Sequence, residues 1–109
     1  MGKLVYGPTV YELDDRVLAH LQTVVTMKLR RRENFFVSWR NPAAQGSGRQ
    51  SVWFDNGIPI AFEYDGARIP SVNREWVETM AAGAHSNFGL QLTDESGALL
   101  NLPASERSS

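Results

Sequence analysis

The chain has 109 residues, carries a formal net charge of −1, and is 42% hydrophobic and 21% charged. This length provides one compact domain with a core but not two, and the near-neutral charge argues against a protein that depends on bulk phosphate attraction. The sequence has no Cys, which excludes disulfides, thiol catalysis and thiolate metal sites and fits a cytoplasmic location. No stretch has the apolar length of a signal peptide core or a membrane span, so we expect no membrane association.

Two short strands begin the chain and lead into a helix. A Gly-Pro bend separates extended runs at 3–6 and 9–13. Asp14 and Asp15 then provide capping oxygens and negative charge at the start of a helix over about 15–31. Apolar residues recur along this helix at helical spacing, so one stripe of it should pack on a sheet.

The central feature of the sequence is a predicted hairpin. Asn56-Gly57 readily adopts positive φ at both central turn positions, and apolar-aromatic runs lie on either side of it. The pattern therefore predicts a tight turn between strands near 50–54 and 58–64. We expect most of the core to lie on this hairpin.

Other elements flank the hairpin. Alternation of side-chain types predicts a strand at 35–40 with a strongly aromatic face, followed by a loop at 41–50 that is rich in small residues. After the hairpin, Asn73 or Ser71 can cap a second helix whose apolar stripe extends to Phe88. Gly89 stands where a left-handed helix stop is usual.

The predicted order is β-β-α-β-β-β-α-β, with a last short strand at 90–93. Strands joined by short turns favour an antiparallel sheet, so we expect an α+β, two-layer domain over 1–93 with both helices on one face. A small barrel with flanking helices is the alternative. The segment 94–109 is polar and is expected to form a disordered tail. Three residues interrupt its polarity and are expected to dock either on the domain or on a partner: Leu99, Leu100 and Leu102.

A basic helix end and nearby aromatic residues form a candidate nucleic-acid surface, since basic side chains hold phosphates and aromatic rings stack on bases. Ordinary helix-end charge beside a packed core is the alternative interpretation. Aromatic residues occur on both faces of the strands, so some should stay uncovered by helices and serve binding or dimerisation. The residues of this candidate surface are Lys28, Arg30, Arg31, Arg32, Trp39, Arg40, Arg49 and Trp53.

The sequence shows no metal-binding or catalytic pattern. His20 and His85 are the only histidines, and they fall on different helices without a second ligand-type residue at helical spacing. Neither a nucleophile elbow nor a Ser-His-Asp signature is present. We therefore expect no metal and no cofactor.

The stretch FEYDGARI resembles the nucleotidyl-transfer motif of ATP-dependent DNA ligases, which reads Lys-x-Asp-Gly-x-Arg. In that family the lysine amine attacks the α-phosphorus of ATP and holds the AMP covalently. Here the lysine position is Glu63, and a carboxylate cannot form that phosphoramide. The positions that match the motif are Tyr64, Asp65, Gly66 and Arg68.

As a whole, the chain resembles a family of short, uncharacterised actinobacterial proteins that often carry the name ATP-dependent DNA ligase. The resemblance lies in MGKLVYG, in KLRRRENFFVSWR and in NREW. We interpret that name as a consequence of the short motif echo in FEYDGARI, and Glu63 implies that no adenylate is carried.

These patterns lead to three expectations, in order. The first is a non-catalytic interaction module that forms a homo-oligomer, or binds a protein partner, through an aromatic sheet face or an edge strand. The second is a nucleic-acid-binding module that uses the basic helix end and the aromatic strands. The third is a nucleotidyl transferase, which the missing lysine disfavours. We expect no enzymatic activity.

Overall fold

The strands and helices follow one another along the chain in the predicted order. The computed structural model describes residues 1–41, 48–102 and 104–106. Over these residues the elements are β1 (Gly2–Tyr6), β2 (Thr9–Leu13), α1 (Asp15–Arg30), β3 (Phe35–Asn41), β4 (Gly48–Phe54), β5 (Ile60–Glu63), α2 (Arg74–Gly83), β6 (Leu90–Gln91) and β7 (Ala104–Glu106). The α+β class and the element order are confirmed, and β7 follows the predicted elements. Residues 42–47 of the predicted loop lie outside the described residues, and Gly48–Gln50 belong to β4.

The strands form two sheets rather than one. Sheet 1 has the order β5-β1-β2-β7 and is antiparallel throughout. Sheet 2 has the order β4-β3-β6, in which β4 pairs antiparallel with β3 and β6 pairs parallel with it. None of the helices in the described part of the chain is long and apolar enough to cross a membrane.

The predicted central hairpin is wrong in its pairing. A turn is present, since the Ile58 amide donates to the Asp55 carbonyl at 3.2 Å, but neither Asn56 nor Gly57 has positive φ, so the predicted turn geometry is wrong. However, β4 belongs to sheet 2 and β5 to sheet 1. Pro59 has no N–H to continue a ladder with β4, and its carbonyl instead accepts from Gly7 of the β1–β2 turn at 3.0 Å. The chain therefore crosses from one sheet to the other at this turn.

Aromatic contacts join the two sheets in one core. Tyr6 of β1 stacks on Phe54 of β4 with ring centroids 4.8 Å apart. Tyr11 of β2 meets Trp39 of β3 edge-on, also at 4.8 Å. Leu18 and Leu21 of α1 are fully buried in the same core. Burial of so many large side chains is the main stabilising term.

The N-terminal caps of both helices are those predicted from the sequence, whereas the end of α2 differs from the prediction. Asp14 caps α1 by accepting from the Arg16 amide at 2.8 Å, and Asn73 caps α2 by accepting from the Trp76 amide at 3.3 Å. Helix α2 ends at Gly83, so the predicted continuation of its apolar stripe to Phe88 is wrong. Phe88 lies after the helix and is exposed.

The segment after Thr93 packs against the domain as far as it is described. Leu102 is 2% exposed and belongs to the core. Its amide donates to the Arg40 carbonyl at 2.9 Å, and the Leu100 carbonyl accepts from the Arg40 amide at 2.8 Å. Of the two predicted uses of these leucines, docking on the domain is the one observed for Leu102. The predicted boundary after Thr93 stays a prediction, and residues 103 and 107–109 lie outside the described residues.

Candidate binding face

The face of sheet 2 that points away from the core carries three rows of side chains. Side chains alternate between the two faces of a strand, and Phe35, Val37 and Trp39 of β3 point into the core. The register of β3 with β4 and β6 then places the remaining residues in rows across the sheet. We call this surface the aromatic–arginine face. Its rows are Phe36 with Trp53, Ser38 with Ser51 and Gln91, and Arg40 with Arg49.

The aromatic row is partly open to solvent, since Phe36 is half-buried and Trp53 is exposed. The rings of Phe36 and Trp53 meet edge-on with centroids 4.8 Å apart. Trp53 is 46% exposed, and Phe88, which follows α2, is 71% exposed. The backbone carbonyl of Phe88 accepts from the Ser38 hydroxyl, so Phe88 lies beside the middle row. Exposed aromatic rings that lie together are a common mark of binding surfaces.

The middle row is polar and forms a small hollow. The hydroxyls of Ser38 and Ser51 are 2.7 Å apart. Because Ser38 donates to the Phe88 carbonyl, Ser51 is the donor between the two hydroxyls. A cavity of about 250 Å³ is lined here by Ser38, Arg49, Ser51, Phe88 and Gln91. Both hydroxyl hydrogens are thus used within the protein, so this row offers a ligand the Ser51 oxygen as an acceptor and the side-chain N–H groups of Gln91 as donors.

The arginine row places two like charges opposite each other. Arg40 and Arg49 are Cα partners in the β3–β4 register, and both are exposed. Like charges at directly opposed positions destabilise a sheet. Arg49 donates to the side-chain carbonyl of Gln91, and within the described residues neither arginine forms an ion pair with a carboxylate. Both guanidinium groups therefore remain available to an anion.

The other residues predicted for a nucleic-acid surface do not lie together: one is in the core, and the rest are at the end of α1. Trp39 is 0% exposed and packs on Tyr11, so its predicted place on that surface is wrong. Alternation along β3 separates it from Arg40 and directs it into the core. The Lys28 ammonium lies 3.5 Å from a Glu33 carboxylate oxygen and 3.1 Å from His85 Nε2. The exposed members at the end of α1 are Arg30, Arg31 and Arg32.

Strand β4 lies at an edge of sheet 2, but part of it is tied to sheet 1. The Tyr6 hydroxyl donates to the backbone carbonyl of Trp53. A strand of another chain would meet this side chain at that end of β4. The exposed face is thus a more accessible surface than the edge.

The ligase-like motif forms a connection that is fixed to α1. The Asp15 carboxylate accepts from the backbone amides of Asp65, at 3.2 Å, and Gly66, at 2.9 Å. These two bonds lower the pKa of Asp15 below its usual range, with the Gly66 amide as the larger cause. The Tyr64 hydroxyl donates to Gln22 of α1 at 2.6 Å. Glu63 ends β5, and Arg68 is exposed.

The two histidines have structural contacts. His20 is fully buried, and its Nδ1 lies 2.6 Å from the Arg16 carbonyl while Nε2 accepts from the Asn73 amide at 2.7 Å. Its ring lies 4.2 Å from that of Trp76. Both ring nitrogens are therefore used within the protein. Across residues 1–41, 48–102 and 104–106, no group of three or more metal-ligand side chains is present.

Sequence reasoning placed Arg40, Arg49 and Trp53 on a surface but missed their neighbours. Once the β3–β4 register pairs Arg40 with Arg49, alternation along the two strands places Ser38 and Ser51 opposite each other on the same face. Gln91 lies on the face because β6 pairs parallel with β3, and no local sequence pattern predicts this pairing.

A family model for an uncharacterised family, Domain of unknown function (DUF7882), matches residues 1–95, and the chain belongs to that family. All residues of the aromatic–arginine face lie within the matched part. The comparisons with curated proteins and with solved structures gave no match.

Proposed function

We propose that the protein is a non-catalytic interaction module and that the aromatic–arginine face is its binding surface. The single observation that carries the proposal is the exposed Trp53, which meets the half-buried Phe36 edge-on and has the exposed Phe88 beside it. Rings of this size contribute strongly to interfaces because they bury a large apolar area with few rotatable bonds.

The position of the ligase-like motif supports a non-catalytic role. The motif offers Glu63 where a nucleophilic lysine would stand. The amides of Asp65 and Gly66, which could otherwise bind an anion, both donate to the Asp15 carboxylate. A carboxylate at that place repels phosphate groups. The name DNA ligase, which resembling proteins carry, would therefore describe a sequence echo and not an activity.

Self-association is the first candidate use of the face. Two copies that bring their aromatic rows together would remove Trp53 and Phe88 from water. We place this contact on the face and not on the edge of β4, because Tyr6 is bonded to the Trp53 carbonyl there. The module would then act as a homo-oligomer.

Sedimentation velocity over a wide range of protein concentration tests this candidate. We expect a dimer at high concentration for the natural chain and a monomer for Trp53→Ala. Ile69→Ala is the matched control, because Ile69 is 86% exposed and lies outside the face. A dimer that persists in Trp53→Ala would exclude the face as the contact.

The arginine row favours a second candidate, an anionic partner. Arg40 and Arg49 have no carboxylate to pair with among the described residues, and no side chain in the three rows is acidic. A second copy of the face would bring more arginines without an opposite charge. The arginine end therefore suits a polyanion better than it suits a second copy.

A further inference from the structure

We infer that the aromatic–arginine face binds single-stranded nucleic acid, with a base stacked on Trp53 and phosphates held by Arg40 and Arg49. This inference rests on the proposal that the face is the binding surface, and it names the class of partner. It needs an aromatic ring and cationic groups on one continuous surface, and the β3–β4 register supplies both.

The arginine pair is the first observation in its favour. Two guanidinium groups at opposed positions of a sheet are unfavourable without an anion between them. Guanidinium forms paired hydrogen bonds with phosphate oxygens, so a phosphate would relieve this repulsion. Arg40 and Arg49 are both exposed and can turn toward such a ligand.

The spacing along β3 is the second observation. Phe36 and Arg40 lie on the same face and are separated by about 13 Å, at about 3.3 Å per residue. A single nucleotide is shorter than this separation. A strand of several nucleotides can place a base on the aromatic row and later phosphates on the arginine row.

The accessible ring argues for single strands over duplex. Trp53 is 46% exposed and meets Phe36 edge-on, so a base can approach its free side. Bases that are stacked inside a duplex cannot reach such a ring, whereas single strands offer theirs. The hydroxyl and amide groups of Ser51 and Gln91 lie between the rows and can bond to the sugar or base.

The net charge fits a local attraction. The whole chain carries −1, so it has no general affinity for polyanions. The positive charge is instead concentrated in the arginine row and at the end of α1. We therefore expect binding that depends on salt through few phosphate contacts.

Fluorescence titration of the full chain with a short oligothymidylate tests the inference. Trp39 and Trp76 are buried, so the solvent-accessible tryptophan emission comes from Trp53. We expect the oligonucleotide to quench this emission and a duplex of equal length to bind more weakly. Trp53→Ala should weaken binding about tenfold, measured with a labelled oligonucleotide, and Trp53→Phe should restore most of it.

Charge variants test the role of the arginines in holding phosphate. Arg40→Gln with Arg49→Gln should lower the slope of log affinity against log salt by about 0.7 for each phosphate that an arginine no longer neutralises. Arg68→Gln removes one charge from an exposed arginine outside the face and is the matched control for each single variant, Arg40→Gln and Arg49→Gln. Circular dichroism of each variant checks that it is folded.

The outcomes separate this inference from the proposed function. If the chain dimerises through Trp53 but binds no oligonucleotide at low salt, the inference is overturned while the face keeps its role. If Arg68→Gln weakens binding as much as the double variant, the assigned site is wrong. If Trp53→Ala changes neither self-association nor nucleic-acid binding, the proposed function falls as well. Release of monomers from the dimer by oligonucleotide would support both, since the two partners share Trp53.

Discussion

Asp15 of α1 accepts a hydrogen bond from the Gly66 amide at 2.9 Å and so joins the start of the first helix to the ligase-like motif. The Asp65 amide adds a second bond to the same carboxylate. The motif therefore has a structural partner that accounts for its backbone donors.

Replacing Asp15 should lower the stability of the fold at neutral pH and make that stability less dependent on pH in the acid range. Because bonds to Gly66 and Asp65 lower the folded-state pKa of Asp15, its stabilisation is present above the ordinary value of 3.8 and is lost as the pH falls below it. We expect Asp15→Asn to melt several degrees lower at neutral pH and to converge with the natural chain in acid. Thermal melts followed by circular dichroism measure this. Glu78→Gln, an exposed change of equal charge, should show neither effect.

The pair of Arg16 and Glu95 provides a second pH-dependent interaction. Both guanidinium-to-carboxylate bonds are short, 2.8 and 2.7 Å, and Asn73 donates to Glu95 at 2.9 Å. These groups, Arg16 first, lower the pKa of Glu95 from 4.5 to about 2. The ion pair therefore stabilises the fold fully above about pH 4.5, and this stabilisation disappears as the pH falls toward 2. Glu95→Gln should be less stable than the natural chain at pH 7, and urea unfolding at several pH values should show the difference closing toward pH 2. A difference that is constant with pH would contradict the prediction.

Gly89 should tolerate no side chain. Its φ is +75°, and a Cβ there would lie 2.0 Å from the Phe36 carbonyl oxygen. Gly89→Ala should therefore cost more than about 2 kcal/mol, since the strained backbone and the clash add together. Gly97 also has positive φ, at +98°, but a Cβ there meets nothing within 4 Å. Gly97→Ala should cost only about 1 kcal/mol, and equal losses in urea unfolding would refute this account.

The segment after Thr93 should be needed for stability. Leu102 is buried in the core, so Leu102→Ala should cost about 2–4 kcal/mol in urea unfolding. A chain that ends at Thr93 should lose still more, because the Glu95 ion pair and the bonds to Arg40 go with it. Ile69→Ala, at an exposed position, should change stability little. A fully stable chain ending at Thr93 would support the boundary predicted from sequence.

Local patterns were sufficient for the order of the elements as far as β6 and for the starts of both helices. The capping residues Asp14 and Asn73 act through bonds to amides a few residues away, so sequence alone predicts them. Alternation along 35–40 predicted the strand and its aromatic character. These features depend on contacts within one element.

Long-range pairing was beyond local patterns. Asn56-Gly57 predicts a turn. Whether β4 and β5, the strands on either side of it, pair with each other depends on which other strands can pair with β5, and β1 is the partner observed. Alternation likewise divides β3 into two faces without saying which one is covered. Trp39 was placed on the surface for that reason, whereas the core of both sheets covers it.

The bond between the Tyr6 hydroxyl and the Trp53 carbonyl also affects how the protein behaves when crowded. An exposed edge strand can pair with strands of other chains, and repeated addition of this kind leads to fibres. By fastening one end of β4 to the opposite sheet, Tyr6 hinders such run-on growth while the flat aromatic surface stays free. Loss of this hydroxyl, as in Tyr6→Phe, would therefore be felt first as poorer solubility during storage at high concentration.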